Sequence, residues 1–166
     1  IRFASSSGGI FSLIAERVIL DGGVVFGARF NSQWEVEHDY SDTIEGLAAF
    51  RGAKYLQSLI KDNYLKAKEF LDQGRSVLFS GTPCQISGLL SFLRKKYQNL
   101  ITVEVLCNSV PSPLVWRKYL ESITNISEIV SVDFRSKSTG WSNYRYSLQI
   151  NTSREVFTIS DSPYMN

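Results

Sequence analysis

The chain has few of the residues that most often build metal or catalytic centres. Its 166 residues include two cysteines, Cys84 and Cys107, and one histidine, His38. Two cysteines are too few for a disulfide scaffold, and they cannot by themselves hold an iron-sulfur cluster, which usually takes four ligands. With one histidine, a Ser-His-Asp or Cys-His catalytic arrangement and a zinc hydrolase site have little support. His38 lies between acidic neighbours in an alternating segment, so we expect it to be structural or exposed.

An excess of charge of one sign and a long apolar run are also missing. The chain carries 18 Lys and Arg against 16 Asp and Glu, and the basic residues are scattered, so nucleic acid is not an expected partner. No apolar run approaches the roughly 20 residues of a transmembrane helix, and we expect a cytoplasmic protein without a transmembrane segment. The chain starts at Ile1 and ends in SPYMN. We interpret residues 1–166 as a single α/β domain cut from a longer protein.

The N-terminal half alternates helical and strand patterns. Apolar residues at helical spacing follow the run SSSGG, which predicts a helix that ends before the turn DGG. The next two apolar segments, around VVFGARF and WEVEHDY, are typical of a strand pair with one wet face. A short helix is predicted over TIEGLAAF and a longer one over NYLKAKEFLDQG, with Gly74 as its stop.

The middle of the chain predicts a parallel β-α-β unit. SVLFSG and ITVEVLC are short apolar strands, and CQISGLLSFLRKKY and PLVWRKYLESI are helices, the second with Pro113 in its first turn. Cys84 and Cys107 each follow the carboxyl end of one of these strands, where ligands bind in such sheets. The tail after residue 129 alternates like antiparallel strands around a turn at STGW. The predicted fold is therefore α/β: a mixed sheet with parallel β-α-β units flanked by helices, and an antiparallel C-terminal strand region.

Each candidate site residue has a functional and a structural interpretation. Cys84 follows the segment Gly-Thr-Pro and begins a helix, where backbone N–H groups stabilise a thiolate. Free cysteine, however, is often simply a buried apolar residue. The run SSSGG can cradle a phosphate or simply cap a helix, and it lacks the spacing of the common nucleotide motifs. Lys54 and Arg51 can pair with a phosphate or lie solvated on the surface. Tyr55 and the tryptophans can stack on a planar cofactor or pack in the core.

Five segments together resemble a known family. ASSSGGIFSLIAERVILDGGVVFGA, RGAKYLQS, VLFSGTPCQISGL, VEVLCNSVPSP and VDFRSKSTGW occur in the order and spacing of the coenzyme F420 hydrogenase/dehydrogenase beta-subunit family, including bacterial members associated with polysaccharide gene clusters. The resemblance covers nearly the whole chain, and GTPCQ is its most specific part.

The resemblance implies a flavin-dependent oxidoreductase subunit. Such subunits bind FAD and transfer electrons between iron-sulfur clusters and a deazaflavin or another two-electron partner. The clusters, and a ferredoxin-like segment or electron-transfer subunit as partner, would come from outside this chain. The implied cofactor-binding residues are Ser6, Ser7, Gly8, Gly9, Lys54, Tyr55, Thr82, Pro83, Cys84 and Gln85. Cys84 and Cys107 are the candidate catalytic or cluster-proximal residues, and neither is assigned as a metal ligand.

Two departures from the family pattern leave other functions open. GAKY stands where the family commonly has Gly-Ser-Lys-Tyr, and Asn108 and Ser109 follow Cys107 where the family often has His-Gly. The loss of that imidazole affects proton handling or substrate identity. The alternative is a non-catalytic scaffold or docking module in polysaccharide biosynthesis that retains the fold, and a weaker option is sugar or pyruvyl transfer.

Overall fold

The computed structural model describes residues 5–138 and 147–160. The α-helices are α1 (Ile10–Leu20), α2 (Asn63–Asp72), α3 (Pro83–Leu93) and α4 (Pro113–Ile123), and two 3-10 helices span Glu45–Phe50 and Ile126–Glu128. The strands are β1 (Val24–Phe30), β2 (Val36–Ser41), β3 (Val77–Gly81), β4 (Leu100–Glu104), β5 (Ile129–Ser136), β6 (Ser147–Thr152) and β7 (Val156–Ile159).

The strands form one mixed and one antiparallel sheet. The first sheet has the order β2-β1-β3-β4, in which β1, β3 and β4 are parallel and β2 pairs with β1 as an antiparallel hairpin. The second sheet has the order β5-β6-β7 and is antiparallel throughout. The predicted α/β class, with a parallel β-α-β unit and an antiparallel C-terminal region, is confirmed.

Helices cover both faces of the first sheet. One face packs against α2 and α3 through Phe26, Phe79 and Leu89, all completely buried. The opposite face packs against α1 and the 3-10 helix that contains Leu47. Because both faces are covered, the inner parallel strand β3 is buried along its whole length, which explains its continuous apolar sequence.

The second sheet and α4 form a separate hydrophobic cluster. Trp116 of α4 is 1% exposed and packs on Phe134 of β5, with ring centroids 5.1 Å apart. Its indole Nε1 donates a hydrogen bond to the carbonyl oxygen of Trp34, in the turn between β1 and β2, at 2.8 Å. This contact joins the second sheet to the hairpin of the first.

The ends of the helices differ in detail from the sequence-based expectation. Gly9, in the left-handed region at φ 87°, precedes α1, and no serine side chain caps that helix. α3 begins at Pro83, one residue before Cys84, and ends earlier than predicted because Arg94 adopts a left-handed conformation. Gly74 at φ 81° follows α2 as predicted. Apart from Ser138, the predicted turn STGW lies outside the described residues.

None of the helices in the described ranges is both long and apolar enough to cross a membrane.

Candidate functional site

A cleft of about 420 Å³ lies between the segment after the first 3-10 helix and strand β5. We call it the basic cleft. The residues that line it are Ser5, Ser6, Phe30, Ala48, Ala49, Arg51, Gly52, Ala53, Lys54, Val132, Asp133, Arg135 and Lys137. The volume lies in the range of small-molecule and cofactor sites, which is roughly 300–1,000 Å³.

The side chains of the basic cleft favour an anion. Arg51, Lys54, Arg135 and Lys137 contribute positive charge, and Asp133 is the single acidic residue among the described lining residues. Arg51 is partly neutralised because its Nη2 lies 3.2 Å from Oε1 of Glu16. The remaining excess of positive charge, in a concave site, raises the local concentration of anionic ligands.

Among these cations, Lys54 has the pKa that is most strongly shifted from its ordinary value. Its Nζ donates hydrogen bonds to the carbonyl oxygens of Arg51 at 3.0 Å and Gly52 at 3.2 Å, and it lies 5.9 Å from the centroid of the Phe30 ring. Burial of the ammonium lowers the pKa of Lys54 to about 8, against a smaller raising effect of Asp133. An anion bound beside this ammonium replaces the solvation that burial removes.

Of the three serines in the N-terminal loop, Ser5 and Ser6 line the basic cleft and Ser7 is not among its described lining residues. The hydroxyl oxygen of Ser6 accepts a hydrogen bond from the backbone N–H of Ala53, which fixes the loop against the Lys54 segment. The backbone oxygen of Ser5 accepts a hydrogen bond from Nζ of Lys137 at 2.7 Å. Ser7 and Gly8 are exposed and are not among the described residues that line the cleft.

Tyr55 packs in the core beside the cleft rather than lining it. Its ring contacts that of Phe134 edge to face, with centroids 5.7 Å apart, in the cluster around Trp116. Lys54 and Tyr55 are therefore neighbours in sequence with different surroundings. The predicted cofactor-binding role of Tyr55 stays a prediction.

A second candidate region lies at the carboxyl end of β3, in residues 81–85, which we call the strand-end turn. Thr82 caps α3, with its side chain accepting from the Gln85 backbone N–H, while Oε1 of Gln85 accepts from the Thr82 N–H at 3.0 Å. The Cys84 thiol is exposed, and its Sγ lies 3.1 Å from Oγ1 of Thr82. The described lining of the basic cleft includes none of Thr82, Pro83, Cys84 and Gln85.

The second cysteine follows the neighbouring strand. β3 and β4 pair in parallel, with Gly81 opposite Glu104, so Cys84 and Cys107 both follow the same edge of the sheet. Cys107 is half-buried, and Asn108 and Ser109 are exposed. Among the described residues no group of three or more Cys, His, Asp or Glu side chains is arranged to hold a metal ion. With two cysteines in the chain, the residues do not fit a cluster with four cysteine ligands.

Sequence reasoning missed several residues that the tertiary structure adds to these regions. Asp133, Arg135 and Lys137 reach the basic cleft from β5 and the residue after it, although they are far from Lys54 in sequence. The one sequence signal for them is that they are every second residue in VDFRSK, a spacing that puts three charged side chains on the same face of a strand. His38 contacts Ser58, which in turn accepts a hydrogen bond from Gln85 of the strand-end turn, and nothing in their local sequence predicts these contacts.

The fold is that of an α/β protein, and the lining of the basic cleft includes Phe30, the last residue of the parallel strand β1. In such folds, ligands bind beyond the carboxyl ends of parallel strands. The profile of the family described as the C terminus of the coenzyme F420 hydrogenase/dehydrogenase beta subunit matches residues 74–161, just over half of the chain. This chain belongs to that family. The match covers the strand-end turn, Cys107 and β5.

A solved structure supports the fold over a longer range. A chain of the F420-reducing nickel-iron hydrogenase complex from Methanosarcina barkeri, determined in a xenon-derivatised form, superposes with a TM-score of 0.63 at 16% sequence identity. The superposition covers 93% of this chain and 54% of that chain, so this chain spans about half the length of its structural relative. No curated protein matches the sequence.

Proposed function

We propose that this chain is the flavin-binding core of an oxidoreductase subunit. The subunit transfers electrons between iron-sulfur clusters held outside this chain and a deazaflavin or another two-electron partner in the cytoplasm. The observation that carries the proposal is the basic cleft, because its lining includes Ser6 and Lys54, two of the cofactor-binding residues that the sequence resemblance implies. Flavin suits such a subunit because it exchanges single electrons with a cluster and a hydride with an organic acceptor.

The residues of the basic cleft fit the phosphate-bearing part of FAD. Lys54, Arg135 and Lys137 supply cations for the pyrophosphate, and Ser6, Gly52 and Ala53 line the same space. A cleft of about 420 Å³ takes part of a dinucleotide and leaves the rest to lie along the surface. The protein's contribution is to bind and orient the cofactor, and to set the charge around it.

Flavin titration of the purified protein, free of added cofactor, tests this proposal. We expect FAD to bind, with flavin fluorescence or absorbance as the signal, and Lys54→Gln to weaken binding by about tenfold, the effect of losing one charge-assisted hydrogen bond. Lys96→Gln is the matched control, because Lys96 is exposed on the turn after α3 and lies outside the described lining of the cleft. Equal affinities of the two variants would contradict the assignment of the cleft.

The same titration separates the electron-transfer proposal from the scaffold alternative. A folded protein that binds no flavin, and that does not reduce a dye when a reduced ferredoxin is supplied as electron donor, would favour a docking module that retains the fold. Replacement of Cys84 by serine then tests the strand-end turn. Unchanged flavin content and electron transfer would show that this exposed thiol has no role in the reaction.

A further inference from the structure

The single histidine of the chain lies under the strand-end turn and is buried. His38 is 3% exposed, and its ring stacks on that of Phe79, with centroids 5.4 Å apart and an interplanar angle of 12°. Its Nε2 lies 2.9 Å from the carbonyl oxygen of Ser80, and its Nδ1 lies 2.7 Å from Oγ of Ser58. Both ring nitrogens therefore have a defined partner.

These partners fix which nitrogen carries the proton. A carbonyl oxygen only accepts hydrogen bonds, so the Ser80 contact requires a proton on Nε2 of His38. The uncharged ring then accepts at Nδ1 from the Ser58 hydroxyl. The Ser58 oxygen in turn accepts from Nε2 of Gln85 at 2.9 Å. This orientation leaves Oε1 of Gln85 facing the Thr82 N–H, from which it accepts a hydrogen bond at 3.0 Å.

The hydrogen bonds form a single chain in which donation runs from the Thr82 amide of the turn, through Gln85 and Ser58, to the ring and on to the Ser80 carbonyl. We propose that His38 is a positioning residue for the strand-end turn: its uncharged ring orients Ser58 and Gln85 so that the Thr82 amide is held and Cys84 is placed, and protonation of the ring reorients Ser58 and loosens the turn. The positioning does not depend on flavin. Its consequence for electron transfer rests on the proposed function.

Protonation reverses one hydrogen bond of this chain, because it places a second proton on Nδ1 and turns that nitrogen from an acceptor into a donor. The oxygen of Ser58 would then face donors from both His38 and Gln85, and its own proton would lose its acceptor. A buried donor without a partner is costly, so the Ser58 hydroxyl must turn to a new acceptor, and this changes the direction in which its oxygen accepts from Gln85. Burial also lowers the pKa of His38, against a smaller raising effect of the Ser80 carbonyl.

The charged and titratable side chains that the structure describes near His38 do not bond to its ring nitrogens, so the ring itself is the group whose protonation changes the hydrogen bonds. Next to it in β2, Glu37 and Asp39 point to the other side of the strand, where they pair with Arg29 and Lys61. From α2, the Tyr64 hydroxyl donates to the carbonyl oxygen of Gln85 at 2.7 Å, and burial raises the pKa of Tyr64. From α3, Cys84 is exposed. The ring nitrogens themselves contact Ser58 and Ser80, and neither partner titrates in this range.

Amide hydrogen exchange of Thr82, measured by NMR on the protein without flavin from pH 8 down through the pH at which the His38 ring signals show that the ring has become protonated, tests the proposal. We expect the protection factor of the Thr82 amide, which removes the intrinsic pH dependence of exchange, to fall about fivefold to tenfold as His38 becomes protonated, the equivalent of one net hydrogen bond. The Val77 amide at the start of β3 donates to the carbonyl oxygen of Asn99 at 2.8 Å, and it is the internal reference that should not change.

Two variants separate positioning from a general loss of stability. His38→Gln keeps an amide donor for the Ser80 carbonyl but does not titrate, so its Thr82 protection should be independent of pH. Ser58→Ala should lower Thr82 protection at every pH, whereas Ser122→Ala, which removes one hydroxyl donor in α4, should not.

A flat wild-type profile, or a Ser58→Ala variant with wild-type Thr82 protection, would overturn the proposal even if His38→Gln fails to fold. Because flavin is absent from the measurement, a failure of flavin binding and a failure of this inference are separate results.

Discussion

Replacement of Lys54 by methionine tests the electrostatics of the basic cleft most directly. In the folded protein the pKa of Lys54 is about 8, against an ordinary value of 10.5, because burial disfavours the charged form. The difference of about 2.5 corresponds to about 3 kcal/mol of destabilisation of the folded protein when the lysine is charged. Methionine retains much of the apolar stem but cannot titrate.

The sign of the pH dependence follows from linkage. Between pH 8 and pH 10.5 the unfolded chain holds the Lys54 proton and the folded protein does not, so the free energy of unfolding rises with pH in this window. We expect the wild-type protein to gain roughly 1 kcal/mol between pH 7 and pH 9 relative to Lys54→Met. Urea unfolding of both proteins at pH 7, 8 and 9, followed by circular dichroism, measures the difference.

A bound anion should suppress this effect. Pyrophosphate or FAD in the cleft favours the charged ammonium and raises the pKa of Lys54, so the difference between the two proteins should vary less between pH 7 and pH 9. Flavin affinity of the wild-type protein should also fall as the pH rises above 8. A difference in unfolding free energy that stays constant across these pH values without ligand would refute the burial of the Lys54 charge.

Two further predictions concern the packing that supports the cleft. Gly27→Ala places a Cβ 2.8 Å from Cγ of Phe50, and overpacking of about 1–3 kcal/mol should lower the urea midpoint and weaken flavin binding, because Phe50 directly precedes the cleft segment. Gly8→Ala, with no heavy atom within 4 Å of the added Cβ, should leave the midpoint unchanged. Trp116→Phe removes the hydrogen bond to Trp34 and part of a buried ring, and should lower the free energy of unfolding by about 1–3 kcal/mol. Val115→Ala, at the neighbouring exposed residue, is the control and should not lower it. Equal midpoints of the two variants in thermal or urea unfolding would contradict the role of Trp116 in joining the sheets.

The local sequence predicted most of the secondary structure because the relevant signals act over a few residues. The apolar run at Val77–Gly81 and the proline at position 113 are such signals, and β3 and α4 lie where they indicate. The short helix predicted over TIEGLAAF is present at Glu45–Phe50, but its 3-10 type and the early end of α3 at Arg94 were not predictable in this way, since tertiary packing fixes helix type and length.

The sequence by itself determined the fold class, the family and the place of the strand-end turn, because strand periodicity, a Gly-Thr-Pro-Cys-Gln motif and a helix start are all local. Only the tertiary structure decided which residues meet. It placed Arg135 and Lys137 of the C-terminal sheet opposite Lys54, and it placed His38 and Ser58 beneath Gln85. Such contacts depend on how strands pair and sheets pack across the chain, and no local pattern encodes the distance between side chains so far apart in sequence.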